Sequence, residues 1–156
     1  DKTGLEARTV DFDVKCALDI NVPAHIRGYV AQCPANFNKG TAPLNVYGSF
    51  KPVTDYFYGC TLQNGATLDL SDKTQTWSTT GAFTNGLNTV VFADHATVTI
   101  ELGDRKPKDG ELIVSWEEVP ENLSTLSFVR PKGRLGKFHT TNEGVVFSLG
   151  MIIIVR

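Results

Sequence analysis

Long apolar runs are missing from this chain. Nothing approaches the roughly 18 consecutive apolar residues of a membrane-spanning helix, and Gly150-Met-Ile-Ile-Ile-Val155, the nearest candidate, is only strand-sized. Helical periodicity is missing too, since no segment keeps apolar residues at a 3.6-residue spacing beyond one or two turns. Positive charge is not in excess. Fifteen Lys and Arg stand against 17 Asp and Glu for a net charge of -2, so no global field holds a polyanion and general nucleic-acid binding is disfavoured. Cysteine is sparse, and Cys16, Cys33 and Cys60 form no CxxC pair, which argues against zinc and thioredoxin-like redox chemistry. One disulfide with one leftover thiol and three buried reduced thiols both fit that count.

Catalytic motifs are equally scarce. No GxSxG occurs, and Gly48-Ser49-Phe50 lacks the second glycine of a nucleophile elbow. No HExxH occurs, His25, His95 and His139 are scattered, and Asp94-His95 is the only adjacent acid–imidazole pair. No cofactor and no metal centre is expected. The chain also shows neither an initiator Met nor a signal peptide, so Asp1 reads as the start of a mature chain or of a trimmed piece and export stays open.

What is present is two-residue alternation. Fourteen Gly, seven Pro and frequent Thr and Asn suit short strands and tight turns, and 41% hydrophobic residues over 156 positions are enough for a core. The expected class is all-β with few or no helices, either the irregular end of a β-solenoid or a small β-sandwich. The central stretch is Thr61 to Ser71, where Asn64-Gly65 is a two-residue turn signal and Leu68 and Leu70 share one strand face. Similar grammar recurs at Leu44 to Phe50 and Val98 to Asp104. Apolar pairs beginning at Leu44, Leu68, Val98, Leu112, Leu126 and Val145 are spaced by 24, 30, 14, 14 and 19 residues, a drift that a regular solenoid would not show.

Upstream, alternation from Val10 to Val22 predicts one long strand of roughly 40 Å, ended by Pro23 and carrying Asp11, Asp13 and Asp19 on its outer face with Lys15 between them. A turn and a strand over Gly28 to Cys33 follow, then a segment of turn formers from Pro34 to Pro43. The expected division is a long-strand or hairpin unit over 1–40 and a strand-turn β-repeat domain over 41–156. At the other end, Val145 to Leu149 and Met151 to Val155 are expected to close the chain as a β pair around Gly150.

Three groups are candidate sites. Asp69 and Asp72, with Asp104 as a third, are the acids from which a secreted acid or glycan-degrading hydrolase would draw a carboxylate pair, since acids from separate strands can meet without a contiguous motif. Tyr56, Tyr58 and Trp77 are candidates for stacking on glycan or peptide, although a core position beside Phe83 suits Trp77 better. Arg130, Lys132, Arg134 and Lys137 lie in a Gly- and Pro-rich loop able to meet DNA phosphate or a sulfated glycan, and a solvated loop accounts for them as well.

From Leu44 onward the chain resembles the C-terminal part of the passenger-type β-repeats of autotransporter-like bacterial surface proteins. Leu44-Asn-Val-Tyr-Gly48, Asn64 to Ser71, Val98 to Asp104, Leu112 to Trp116 and Leu126-Ser-Phe128 carry the likeness. It implies an exported, surface-associated scaffold or adhesin-type module whose partner is extracellular protein or glycan, and it carries no catalytic residue across. The long N-terminal strand and the three cysteines depart from that pattern.

Overall fold

The computed structural model describes residues 5–11, 24–32, 44–52, 59–82 and 89–150, the first two stretches as backbone. In chain order the strands are β1 (Leu5–Asp11), β2 (Ala24–Gln32), β3 (Leu44–Val46), β4 (Ser49–Pro52), β5 (Thr61–Leu62), β6 (Thr67–Asp69) and β7 (Trp77–Ser78). There follow β8 (Val91–Phe92), β9 (Thr97–Glu101), β10 (Leu112–Ser115), β11 (Ser127–Val129), β12 (Lys137–Thr140) and β13 (Gly144–Ser148), with one 3-10 turn at Leu123–Thr125. The fold is all-β, and no helix among the described residues is long and apolar enough to cross a membrane.

Nine strands form one parallel network that divides at β2. One branch runs β2-β3-β5-β8 and the other β2-β4-β6-β9-β11, with β1 parallel to β2. The chain therefore passes through the same two positions once per turn of its path. Val46, Leu62 and Phe92 are in register on the first branch, and Phe50, Leu68 and Ile100 on the second. All six are buried, because strand alternation points every second side chain inward and parallel register stacks like upon like. Leu44, Cys60 and Val90, two residues before the first set, are buried as well. Cys60 is a free thiol in that row, a small hydrophobe whose pKa burial pushes up.

The corners between branches lengthen from coil to coil while the alternation survives. From Val46 to Ser49 is three steps, from Leu62 to Thr67 five and from Phe92 to Thr99 seven. Each increment is two residues, the only kind that leaves inward-facing residues inward. Asn64-Gly65 is accordingly a corner and not the tip of a hairpin. Only Gly65 takes positive φ, at 86°, and Ala66 N–H closes the turn on Gln63 O at 3.0 Å. In the next coil Asp94-His95 makes the same turn, with Ala96 N–H to Ala93 O at 3.1 Å and His95 at φ 58°. Corner side chains stitch coil to coil: Asn64 Oδ1 accepts from Thr97 N–H at 2.9 Å, and Gln63 Nε2 donates to Asn45 Oδ1 at 2.9 Å.

The remaining strands form a sheet in the order β12-β13-β10-β7. It is assembled from what the coils leave out, since β7 lies between β6 and β8, and β10 between β9 and β11. β10 and β12 pair antiparallel with β13, and β7 runs parallel to β10. Its Trp77, Ile113, Val114, Phe138, Val145 and Phe147 share one hydrophobic core with the ladder. Phe92 and Phe128, from the last rungs of the two branches, meet edge to face at 5.0 Å.

β1 and β2 pair in parallel, whereas the expected hairpin pairs antiparallel, and β2 is one strand over Ala24–Gln32, where a turn before a strand at Gly28 is expected. β2 bonds to β3 and β4. β13 takes β12 and β10 as partners, and Lys137, expected in a loop, begins β12. Most of the long strand expected from Val10 to Val22, and the segment Met151 to Val155, lie outside the described residues.

Leu68→Ala is expected to cost about 2–5 kcal/mol in urea unfolding, because Leu68 is fully buried between Phe50 and Ile100. Thr67→Ala, one residue away and half-buried, should cost far less; equal losses would contradict the alternation. His95→Gly should stabilise by about 1 kcal/mol in the same measurement, by relieving a non-glycine positive φ.

Candidate functional site

Parallel register decides where the functional side chains go. β9 and β11 are in step at Thr99 and Val129, so the loops that leave their C-terminal ends emerge side by side. The first is the turn region Gly103 to Gly110 and the second Arg130 to Gly136. Together with Phe147 and Leu149 they line an open groove of about 760 Å³. Arg105 and Lys106 enter it from the first loop and Arg130 and Arg134 from the second, against one acid, Asp104.

Both loops are fixed. Arg105 Nη2 pairs with Glu111 Oε1 at 2.5 Å, while its Nη1 donates to Gln75 O at 2.9 Å and Lys73 O at 3.4 Å. The other oxygen of Glu111 accepts from Lys108 N–H at 2.7 Å. That backbone bond first, and Arg105 second, hold the Glu111 carboxyl below its ordinary range. In the second loop, Arg134 N–H closes a turn on Pro131 O at 3.1 Å, with Gly133 supplying a φ of 86°. Arg130 Nη1 donates to Leu135 O at 2.7 Å, and its guanidinium lies 5.3 Å from the centre of the Phe147 ring. Its Nε is buried with no hydrogen-bond partner among the described residues. Burial, then the charge of Arg134, push the Arg130 pKa down, and Glu101 opposes them.

The three candidate acids are not assembled into one centre. Asp69 Oδ1 accepts from Ser71 N–H at 3.0 Å, capping the turn that follows β6. One coil on, Glu101, its register partner, does the same for Gly103 N–H at 2.6 Å. Asp72 is ion-paired to Lys51 at 3.6 Å, and Lys51 also donates to Ser71 Oγ at 3.4 Å. Asp104 is exposed on the groove. Of the stacking candidates, Tyr56 and Tyr58 lie outside the described residues, and Trp77 is 3% exposed in the shared core. Of the basic run, Arg130 and Arg134 line the groove, whereas Lys132 and Lys137 are exposed and do not. No group of three or more His, Cys, Asp and Glu side chains among the described residues is placed to hold a metal ion.

Sequence reasoning missed Arg105, Lys106, Glu111 and Phe147. The charges of 103–110 suit a surface turn, yet the Arg105 side chain is only 11% exposed and ties three chain segments together. A usable signal was there: two charged loops, each with internal glycine, each follow a strand of the same grammar, Val98 to Leu102 and Leu126 to Phe128. Strands that stack in parallel bring their following loops to one side. A second hollow among the described residues, of about 240 Å³, runs along the β8 edge among Val90, Phe92, Trp116 and Val119. Asn122 closes part of that edge by donating to Phe92 O at 3.0 Å and Asp94 Oδ1 at 2.9 Å.

The lowered Glu111 carboxyl makes a signed prediction. Its stabilisation is complete above the ordinary glutamate value of about 4.3 and is lost as pH falls through the lower native value. Urea unfolding at neutral pH and near pH 3 should therefore show the parent losing more stability than Glu111→Gln, and parallel losses would sink the assignment. Comparisons with family models, with curated proteins and with solved structures returned no match to this chain.

Proposed function

We propose that this chain is the closing end of a β-solenoid that serves outside the cell as a surface-associated scaffold and adhesin-type binding module for extracellular protein or glycan. The observation that carries the reading is the parallel ladder, in which Val46, Leu62 and Phe92 on one branch and Phe50, Leu68 and Ile100 on the other stack coil upon coil. Hairpin-built sandwiches pair their strands antiparallel, whereas stacked coils pair them in parallel and bury a continuous core only with their neighbours. The sheet β12-β13-β10-β7 packs into the same core and is the kind of atypical terminal element that stacked repeats need.

Extracellular placement rests on the resemblance of the segments from Leu44 to Phe128 to passenger-type repeats. The binding role rests on geometry: corners and loops change length while the rungs hold register, so recognition surfaces vary without disturbing the core. A hydrolase using Asp69, Asp72 and Asp104 is less well supported. Asp69 anchors a backbone amide, Asp72 pairs with Lys51, and Asp104 stands apart on the groove.

Protease shaving and antibody labelling of intact bacteria producing the full-length protein test this reading. Surface exposure is expected, with no release of product from peptide, mucin or glycan substrates. Retention inside the cell, or turnover abolished by Asp69→Ala in a variant that still folds, would overturn it.

A further inference from the structure

We propose that the groove between the 103–110 and 130–136 loops is a binding site for an acidic glycan, one whose sugars carry carboxylate or sulfate groups. The proposal deepens the binding-module reading and rests on it. The charge in the groove is local and concentrated, with Arg105, Lys106, Arg130 and Arg134 against Asp104 in a chain whose net charge is -2. Like charges are gathered there at a cost that the acids of the fold relieve only in part, through Glu111 at Arg105 and the charge of Glu101 near Arg130. Arg105 is neutralised by Glu111, but neither Arg130 nor Arg134 has an ion pair among the described residues.

Arg130 is already shaped for an oxyanion. Its Nη1 bond to Leu135 O and its seat against Phe147 immobilise the guanidinium, while its buried Nε is left without a hydrogen-bond partner among the described residues. A buried donor in that state carries an energetic penalty, so the guanidinium keeps hydrogen-bonding capacity that the fold does not use. A planar fork of this kind suits the two oxygens of a carboxylate or sulfate. Lys106 and Arg134, both exposed, are free to adjust to further charges along the ligand. Leu135 and Leu149, 84% and 55% exposed beside the groove, offer aliphatic surface for the C–H faces of a sugar ring.

Nucleic acid fits less well. Single strands need exposed aromatic faces for their bases, and Phe147, the one aromatic among the described lining residues, is 1% exposed and faces Arg130. Duplexes need a basic field much wider than one groove on an acidic chain. Acidic sugars need neither.

The test is binding of the full chain to fluorescent heparin (sulfate and carboxylate), polygalacturonate (carboxylate only), neutral dextran and single-stranded DNA at matched ionic strength. Binding to heparin or to polygalacturonate, weakened by added salt and absent for dextran, is expected, and the two arms tell which oxyanion the groove prefers. The double variant Lys106→Gln/Arg134→Gln should weaken that binding roughly tenfold or more with unchanged unfolding. Lys132→Gln/Lys137→Gln, which removes equal charge outside the groove, should change it less than about twofold. No binding to either glycan, equal losses from the two double variants, or tighter binding to DNA than to both glycans would overturn the proposal. Such a failure, with surface exposure intact, removes the ligand and leaves the scaffold reading standing.

Discussion

The in-register stacking of inward-facing side chains governs this molecule. Each rung contributes only a few buried residues, and two- or three-residue strands such as β5 and β8 have no stability of their own. They persist because Leu62 lies in register between Val46 and Phe92, and because Gln63 N–H and Ala93 N–H carry the backbone ladder past the strand ends to Val46 O and Leu62 O at 2.9 Å. A coil that lost register by one residue would expose its whole inner row. The growth of corners in steps of two follows directly, since a one-residue insertion between Leu62 and Thr67 would turn Leu68 and Leu70 to solvent.

That constraint also arranges charge. Asp69 and Glu101 face each other across neighbouring coils, a like-charge pairing that would ordinarily destabilise a sheet. Each carboxylate instead accepts from the backbone N–H two residues on, and cations flank the pair: Lys51, ion-paired to Asp72 on one side, and Arg130, whose charge Glu101 favours, on the other. Of the acids that look like a catalytic set in one dimension, Asp69 is a turn cap inside an alternating column in three, Asp72 is paired with Lys51 and Asp104 stands apart on the groove. Acid pairs in stacked coils are therefore a poor sign of hydrolysis unless a carboxylate is free of its own turn.

How much was legible in the sequence depended on how local the cause was. Alternation is a property of neighbours in the chain, so Leu44, Val46, Phe50, Leu68, Val98 and Ile100 were readable as inward-facing, and the all-β class with them. The drifting spacing was readable as well, but its meaning was not, because insertions that fall in corners and in the excursions housing β7 and β10 alter the count without touching the register. Partner choice is non-local: nothing near Asn64-Gly65 tells a corner from a hairpin tip, since a pair that tolerates positive φ at both residues also serves a corner that uses it at one. His95 shows the limit of that signal from the other side, adopting the same turn position as Gly65 without glycine. Trp77 was ambiguous for a related reason, as only the pairing of β7 with β10 commits its ring to the core.

The groove follows from the same cause as the core. Parallel strands send their following loops out at one end, so every coil adds one more loop to a row, and the composition of that row is free to differ from the composition of the ladder. Here two successive loops are basic, and the fold fixes one cation in each by different means, Arg105 through Glu111 and two carbonyls, Arg130 through Leu135 O and the Phe147 ring. Phe147 belongs to β13, so the second sheet lines the groove as well as sharing the core with the ladder. One strand thus couples that core to the shape of the basic groove, and a change at Phe147 would disturb both together.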